Sequence, residues 1–281
     1  MKISKVLLLA GIYTLSVFVV SAQTIVGTII DANTHKPVAF VNVGVVGKTN
    51  GTVSTEYGKF ALNLTNNGGS DVVLFSMLGY EDVSIKANEL KQVTTDNYIV
   101  KLKERAFDLK ATEIKPCKSK EKVLGNTTET RSIIASFNSD RLGCELGTII
   151  KIKRAPSVIE DFNFCIAQNK LDTLFFRVNI YAVKDGLPSE KILKENVYVK
   201  TTLKYGVVKV DLRKYDVVAY DDFIISLEWL KDYGTTIKDR IYFSATFLGS
   251  SCYFRDASQN KWEKAPATIG VGFNATVKYC K

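Results

Sequence analysis

The sequence predicts an all-β protein built of two β-sandwich domains. Short runs of Val, Ile, Thr, Tyr and Phe, broken by Gly, Asn and Asp, fill the chain from Thr24 onward. No segment keeps a helical period for more than about two turns. The length of 281 residues is more than one domain usually holds. We therefore expect a signal peptide at 1–22, a first sandwich at 23–105, a linker at 106–131 and a second sandwich at 132–281.

The N-terminus has the pattern of a secretory signal peptide. Lys2 and Lys5 precede an apolar stretch at 6–20, and the small residues Ser21 and Ala22 follow it. About 15 apolar residues are fewer than the roughly 20 that span a bilayer. We expect cleavage after Ala22 and export to the periplasm, the outer membrane or the exterior, with no transmembrane span in the mature chain.

The chain is basic. The 38 Lys and Arg against 29 Asp and Glu give a net charge of +9, and loss of the two signal lysines leaves 36 against 29, or +7. Lysines such as Lys151, Lys153 and Lys209 alternate with apolar residues instead of clustering, which is typical of solvated sheet faces. Together with export, this pattern predicts no nucleic-acid partner.

The first sandwich is predicted from short strands separated by turns. Residues 24–30 and 38–46 form two strands around a turn, and 71–76 and 98–103 form two of the later ones. About seven short strands over roughly 80 residues suit a small β-sandwich. Spaced glycines between them, among them Gly27 and Gly51, mark turns or close backbone contacts.

Four motifs in this region carry a family resemblance: IVGTIID at 25–31, KPVAFVNV at 36–43, GTVSTEYGKFAL at 51–62 and FSMLGYE at 75–81. Over residues 23–103 the chain resembles the carboxypeptidase-regulatory-like domain. The resemblance implies a transthyretin-like sandwich of the kind found in envelope proteins of Bacteroidota-type bacteria, often ahead of the plug of TonB-dependent receptors. Glu56 departs from the family, which commonly has Asp there. The residues that remain are too few for a receptor barrel of 22 strands.

The second domain is predicted to be a jelly-roll-like sandwich. Residues 174–182 alternate, with Phe176 and Val178 on one face and Arg177 and Asn179 on the other. Residues 223–230 are apolar on both faces and should form a central strand. Nine or ten strands in about 150 residues fit this architecture. The polar linker predicts that the two domains fold separately.

The single histidine restricts the chemistry. His35 lies in a predicted turn, so neither a zinc site with two histidines nor a Ser-His-Asp triad is expected. Asp222 and Glu228 share a strand face but would stand about 20 Å apart, too far for a glycosidase pair. A buried Glu228 must have a partner, and Arg177 is the preferred one. We expect no catalytic residue, metal or cofactor; carboxylates paired across strands remain the alternative.

Three aromatic residues near predicted loops are the ligand-binding candidates: Tyr233, Tyr253 and Trp262. Aromatic faces stack on sugar rings, so a glycan is one expected ligand and another envelope protein is the other. Packing within the domain is the alternative for each ring.

Five cysteines follow the signal, an odd number in an oxidising compartment. A hairpin pairing 147–154 with 158–166 would bring Cys144 near Cys165, so these two are the disulfide candidates. Two separate buried thiols are the alternative, and Cys252 with Cys280 is the competing pair.

From the sequence we therefore expect a non-catalytic, exported envelope protein that acts as a binding or assembly module. A hydrolase with cross-strand carboxylates and an accessory subunit of an outer-membrane transporter are the alternatives.

Overall fold

The structure is a computed structural model, and it describes residues 23–92, 97–105, 118–231, 241–247, 251–265 and 269–280. The predicted signal peptide lies outside the described residues. In the described part of the chain, no helix has the length and apolar character needed to cross a membrane.

The first domain contains seven described strands and one short helix. They are β1 (Thr24–Asp31), β2 (Asn42–Val45), β3 (Gly51–Val53), β4 (Lys59–Asn63), β5 (Val72–Ser76), β6 (Val83–Lys86), α1 (Ala87–Lys91) and β7 (Tyr98–Leu102). The strands form two sheets, in the orders β4-β1-β7 and β3-β2-β5-β6. All pairs are antiparallel except β1 with β7, which is parallel.

Alternation along the strands builds the core of this domain. In β1, Ile25 and Ile29 point inward while Thr24 and Val26 are exposed. They pack with residues of both sheets, among them Val43, Phe75 and Val100. The two sheets therefore enclose one core, as the sequence predicts for a small sandwich.

The second domain contains fifteen described strands. They are β8 (Ser119–Gly125), β9 (Ile134–Ser136), β10 (Glu145–Ile150), β11 (Ser157–Gln168), β12 (Leu174–Lys184), β13 (Leu187–Lys191), β14 (Val197–Thr201), β15 (Gly206–Asp211), β16 (Val218–Ala219), β17 (Phe223–Lys231), β18 (Tyr242–Phe247), β19 (Cys252–Arg255), β20 (Glu263–Lys264), β21 (Ile269–Val271) and β22 (Phe273–Cys280).

These strands form two further sheets. The seven-stranded sheet has the order β13-β12-β17-β10-β19-β20, with β14 also on β12. The eight-stranded sheet has the order β21-β18-β11-β22-β8, with β15 and β16 on β11 and β9 on β18. Phe176 of the first sheet packs edge-on against Phe164 of the second, with ring centroids 6.0 Å apart. Both domains are sandwiches, and the predicted all-β class is confirmed.

The predicted linker at 106–131 is too long at its C-terminal end. Residues of β8 pair with β22 in register from Ser119 opposite Cys280 to Gly125 opposite Asn274. This strand is exposed on the sheet edge and rich in lysine, so its composition resembles that of a linker. Residues 106–117 lie outside the described residues.

The predicted hairpin around Pro156 is wrong, and so is the disulfide that depended on it. β10 belongs to the seven-stranded sheet, whereas β11 belongs to the eight-stranded sheet. Cys144 and Cys165 are free, buried thiols, as is Cys252. Cys280 is disulfide-bonded, but the competing pair with Cys252 does not form.

Candidate functional site

Among the described residues, a set of buried and partly buried polar side chains lies on the outer face of the seven-stranded sheet, next to the first domain. We call it the interdomain cluster: Asn42, Glu145, Arg177, Asn179, Tyr181, Glu228 and Arg255. Both glutamates and Arg177 are at most 1% exposed. Charges buried to this degree must be paired, because their hydration has been lost.

Strand alternation brings these residues together. In β12, Phe176 and Val178 enter the core of the second domain while Arg177 and Asn179 point to the opposite face. In the sheet register, Arg177 stands opposite Glu228 of β17. The cluster is therefore assembled across neighbouring strands by a period of two.

Arg177 and Glu228 form the central ion pair, as predicted. Arg177 Nε lies 2.9 Å from Glu228 Oε2. Asn179 Nδ2 donates to the same oxygen at 2.9 Å. Burial alone would raise the pKa of Glu228, but the charges of Arg177 and then Lys191 lower it to about 2. Glu228 is thus held as a carboxylate.

Glu145 forms the second half of the cluster. Arg255 Nη2 lies 2.5 Å from Glu145 Oε2. Ser226 and Asn179 donate to Glu145 Oε1 at 2.6 and 2.7 Å. The Tyr181 hydroxyl donates to the same oxygen at 3.0 Å. Burial and then the charge of Glu145 raise the pKa of Tyr181 well above its usual value, so it remains a donor.

The first domain completes the cluster through the start of β2. Asn42 Nδ2 donates to Glu228 Oε1 at 2.6 Å, and Asn42 Oδ1 accepts from Arg177 Nη2. Arg177 Nη1 also donates to the carbonyl of Phe40 at 3.0 Å. With a further hydrogen bond from Arg177 Nη1 to Met77 Sδ at 3.2 Å, this ion pair of the second domain makes four hydrogen bonds with the first domain.

Lys191 of β13 lies beside this cluster. Burial, and then the positive charge of Arg177, lower the pKa of Lys191 to about 8. Glu228 and Glu145 act in the opposite direction. Lys191 is therefore the cationic group of this region that loses its proton most readily.

The two domains also pack closely against each other at Ser258. A Cβ added at Gly44 or Gly51 of the first domain would lie 2.3 or 2.2 Å from the carbonyl oxygen of Ser258. A Cβ at Gly143 would lie 2.0 Å from the Ser258 hydroxyl. These glycines permit the loop carrying Ser258 to sit between the two domains.

Further polar contacts join the domains around the rim. Lys231 Nζ lies 2.7 Å from Glu56 Oε2. Gln259 Nε2 donates to Ser76 Oγ at 2.7 Å, and the Gly47 amide donates to the Gln259 carbonyl at 2.9 Å. From the polar linker we expected two domains that fold separately, so a contact this extended was not predicted.

Of the three predicted ligand residues, the two that the structure describes, Tyr253 and Trp262, do not form an open site. Tyr233 lies outside the described residues. Tyr253 is 2% exposed and packs with Tyr181 and Ile224, so its ring cannot stack on a sugar here. Trp262 is partly buried, with its ring 5.5 Å from that of Tyr181 and beneath the Arg255 guanidinium. Both described aromatics pack beside the interdomain cluster.

The cluster contains a cross-strand carboxylate pair, which the sequence could not locate. Glu145 and Glu228 stand directly opposite each other on β10 and β17. Asn179 bridges the two carboxylates, and each is paired with its own arginine. Because both glutamates are at most 1% exposed, a substrate could not reach them in this arrangement.

The remaining groups of chemical interest are the single histidine and the side chains that can bind metals. His35 is exposed in the turn after β1, as predicted. Among the described residues, no three His, Cys, Asp or Glu side chains come together as a metal site would need.

Comparison with solved structures finds distant likenesses. The cysteine protease and lectin-like domains of Cwp84 from Clostridium difficile match with 10% identity and a TM-score of 0.40, over 90% of this chain and 55% of that one. The VP2 subviral particle of infectious bursal disease virus matches with 10% identity and a TM-score of 0.28, over 91% and 62%. The chain spans little more than half of the Cwp84 chain. At such identities no activity carries over to this protein.

The family comparison is more specific. No curated protein matches the sequence significantly. The profile of the CarboxypepD_reg-like domain matches residues 25–114, which cover the seven strands of the first sandwich except for Thr24 at the start of β1. The match confirms the resemblance of the first domain to the carboxypeptidase-regulatory-like domain and leaves the second domain unassigned.

Proposed function

We propose that this chain is a non-catalytic, exported envelope protein whose two sandwiches act as one binding or assembly module. The observation that carries the proposal is the interdomain cluster, in which Asn42 of the first domain is bonded to both Arg177 and Glu228 of the second. A buried ion pair of this kind adds little net stability but fixes one arrangement of its partners. A fixed arrangement suits a module that presents a surface to a glycan or another envelope protein.

Three further observations support this reading. The first domain belongs to a family associated with envelope proteins. The sequence starts with a signal-peptide pattern, so the chain is expected in an envelope compartment. The acidic pair that a cross-strand hydrolase would use is buried, and each carboxylate is paired with an arginine.

The test is capture of partners from the native envelope. The tagged mature chain is crosslinked mildly in cells, recovered from the envelope fraction, and tested in parallel on a glycan array. The proposal predicts processing at Gln23 and a reproducible envelope protein or glycan ligand. Recovery of the unprocessed chain from the cytoplasm would contradict it. Recovery of an outer-membrane transporter would identify the module as an accessory subunit.

A second candidate function rests on the opposed glutamates. If the domains separated, Glu145 and Glu228 would face solvent as a cross-strand pair. A hydrolase of this kind would lose activity in Glu145→Gln. Polysaccharide hydrolysis by the wild type, abolished by that change, would favour this candidate over the binding module.

A further inference from the structure

A groove opens on one side of the second sandwich, between an edge strand of each sheet. β14 lies at the edge of the seven-stranded sheet and pairs with β12, and β15 lies at the edge of the eight-stranded sheet and pairs with β11. The cavity between them has a volume of about 420 Å³. We call it the edge groove, and its polar and aromatic lining consists of Tyr198, Lys200, Lys209, Asp211, Lys214 and Tyr215. The lysines of the edge groove are exposed, whereas the charges of the interdomain cluster are buried.

The edge groove carries an excess of positive charge. Lys200, Lys209 and Lys214 are exposed along its walls. The carboxylate of Asp211 is bound by Arg213 through two hydrogen bonds, of 2.9 and 2.6 Å. These bonds hold the pKa of Asp211 well below its usual range, so this carboxylate stays ionised and paired with Arg213. Asp211 is offset by Arg213, so the groove remains basic even when the Asp161 carboxylate beside Lys209 is counted.

Lys209 and Lys214 are each positioned by a neighbouring group. Lys209 Nζ lies 2.8 Å from the buried carboxylate of Asp161, yet the Lys209 side chain is 66% exposed. One contact leaves two of the three ammonium protons for a ligand. Lys214 Nζ lies 4.7 Å from the centre of the Tyr215 ring. Positioned ammonium groups lose less side-chain entropy when they bind an anion.

The aromatic side of the groove is also anchored. The Tyr198 ring stacks on that of Phe175 at 5.7 Å and 21°, and it contacts Phe40 of the first domain at 5.6 Å. Tyr198 nevertheless remains 38% exposed. A fixed, half-exposed ring beside ammonium groups can contact the apolar face of a sugar while the lysines bind its anionic substituent.

A saccharide fits this groove better than a peptide strand does. A peptide would pair with the free edge of β14 or β15. Lysines on edge strands, here Lys200 and Lys209, are a common means of preventing such pairing. A polar ligand that needs no backbone ladder does not meet this obstacle.

We propose that the edge groove binds an acidic saccharide, with Lys200, Lys209 and Lys214 contacting its anionic groups and Tyr198 and Tyr215 its ring faces. This inference rests on the proposed function, since it names the ligand class of the binding module.

The test uses the full mature chain and defined probes. Tri-galacturonate, the neutral sugar maltotriose and a hexa-glutamate peptide are each titrated calorimetrically at about 0.02 M and about 0.3 M salt, on either side of strong screening. We expect binding of tri-galacturonate that weakens at the higher salt, and no measurable binding of maltotriose. Equal binding of the two sugars, or binding of the peptide in place of the acidic sugar, would overturn the proposal.

Two double variants locate the site. Lys200→Gln/Lys214→Gln should weaken tri-galacturonate binding about tenfold, since each lost contact with a half-exposed charge has a modest effect. The matched control, Lys59→Gln/Lys101→Gln, removes the same charge from exposed strands of the first domain and should bind normally. Equal losses in both variants would contradict a local site. Thermal unfolding midpoints equal to that of the wild type show that both variants are folded.

Envelope capture separates this inference from the proposed function. If Lys200→Gln/Lys214→Gln recovers the same envelope partner as the wild type and tri-galacturonate does not bind, the groove assignment is wrong and the module function remains. If the wild type recovers no envelope partner and binds no glycan on the array, the module function fails together with the groove assignment.

Discussion

At the scale of single residues, the central feature is a set of buried charges in which each has an opposite partner. Arg177 pairs with Glu228, and Arg255 pairs with Glu145. Asn179 links the two pairs. Removing one residue of a pair leaves the opposite charge buried and unpaired. The resulting loss of stability is larger than the net stability that the intact pair contributes.

This asymmetry predicts the result of a mutant cycle. Arg177→Met should lower the free energy of unfolding by about 3 to 5 kcal/mol, because Glu228 loses its counter-charge. The double variant Arg177→Met/Glu228→Met should lose less than Arg177→Met alone, since no unpaired charge remains. Urea unfolding of Arg177→Met, Glu228→Met and the double variant measures this. Additive losses would show that the two residues do not act as a pair.

Glu228 also predicts how stability depends on pH. Its pKa is lowered from 4.5 to about 2 in the folded protein, mainly by Arg177 against the opposing effect of burial. The unfolded chain therefore binds the proton first, so this stabilisation is full above about pH 5 and is lost as the pH falls toward 2. The expected loss is about 3 kcal/mol. Urea unfolding between pH 6 and 2.5 measures it, and Glu228→Gln should show a flatter profile.

Some of these residues could be predicted and others could not. A carboxylate within the apolar run of β17 requires a cation, which pointed to Arg177. Asn42 gave no such signal, because its partners come from the other domain, 135 and 186 residues away along the chain. Glu56, the departure from the family pattern, reaches Lys231 across the domain contact. Contacts between domains do not follow a periodic pattern along the sequence, so the sequence pattern does not reveal them.

At the scale of elements, strands with strict alternation were predicted most closely. β12 covers Leu174–Lys184 against a predicted 174–182, and β17 is central and buried as expected. The hairpin of β10 and β11 failed because chain neighbours were assumed to pair. The chain instead crosses from one sheet of the sandwich to the other, a choice that side-chain patterning does not reveal.

The separation of β10 and β11 predicts the state of the thiols. Burial raises the pKa of Cys144 well above its usual value, with the nearby acidic groups adding to it, and burial raises that of Cys252 to about 11. Cys144, Cys165 and Cys252 should resist alkylation in the folded protein. They should react after denaturation without reduction, as peptide mapping would show. A Cys144–Cys165 linked peptide in exported protein would contradict this.

The glycines of the domain contact predict a second effect. Gly51→Ala places a Cβ 2.2 Å from the Ser258 carbonyl, so the loop or the domain must shift. We expect a loss of about 1 to 3 kcal/mol in the free energy of unfolding. Gly68→Ala is the matched control, because its nearest neighbour would be 3.8 Å away. If urea unfolding shows similar losses for both variants, close packing against Ser258 is not the cause of the destabilisation.

At the scale of the whole molecule, the two sandwiches share more than a linker. The polar segment between them predicted domains that fold independently. The described contacts include the interdomain cluster, the Ser258 loop and the rim pair of Lys231 with Glu56. We therefore expect the first domain to unfold together with the second.

Scanning calorimetry of the mature chain and of Asn42→Ala tests this claim most directly. Asn42→Ala removes two hydrogen bonds to buried charges in the other domain, while changing a small side chain of the first. We expect one transition in the wild type, with its midpoint lowered by about 5 °C or more in the variant. Two separate transitions, of which Asn42→Ala shifts only one, would show that the two domains unfold independently.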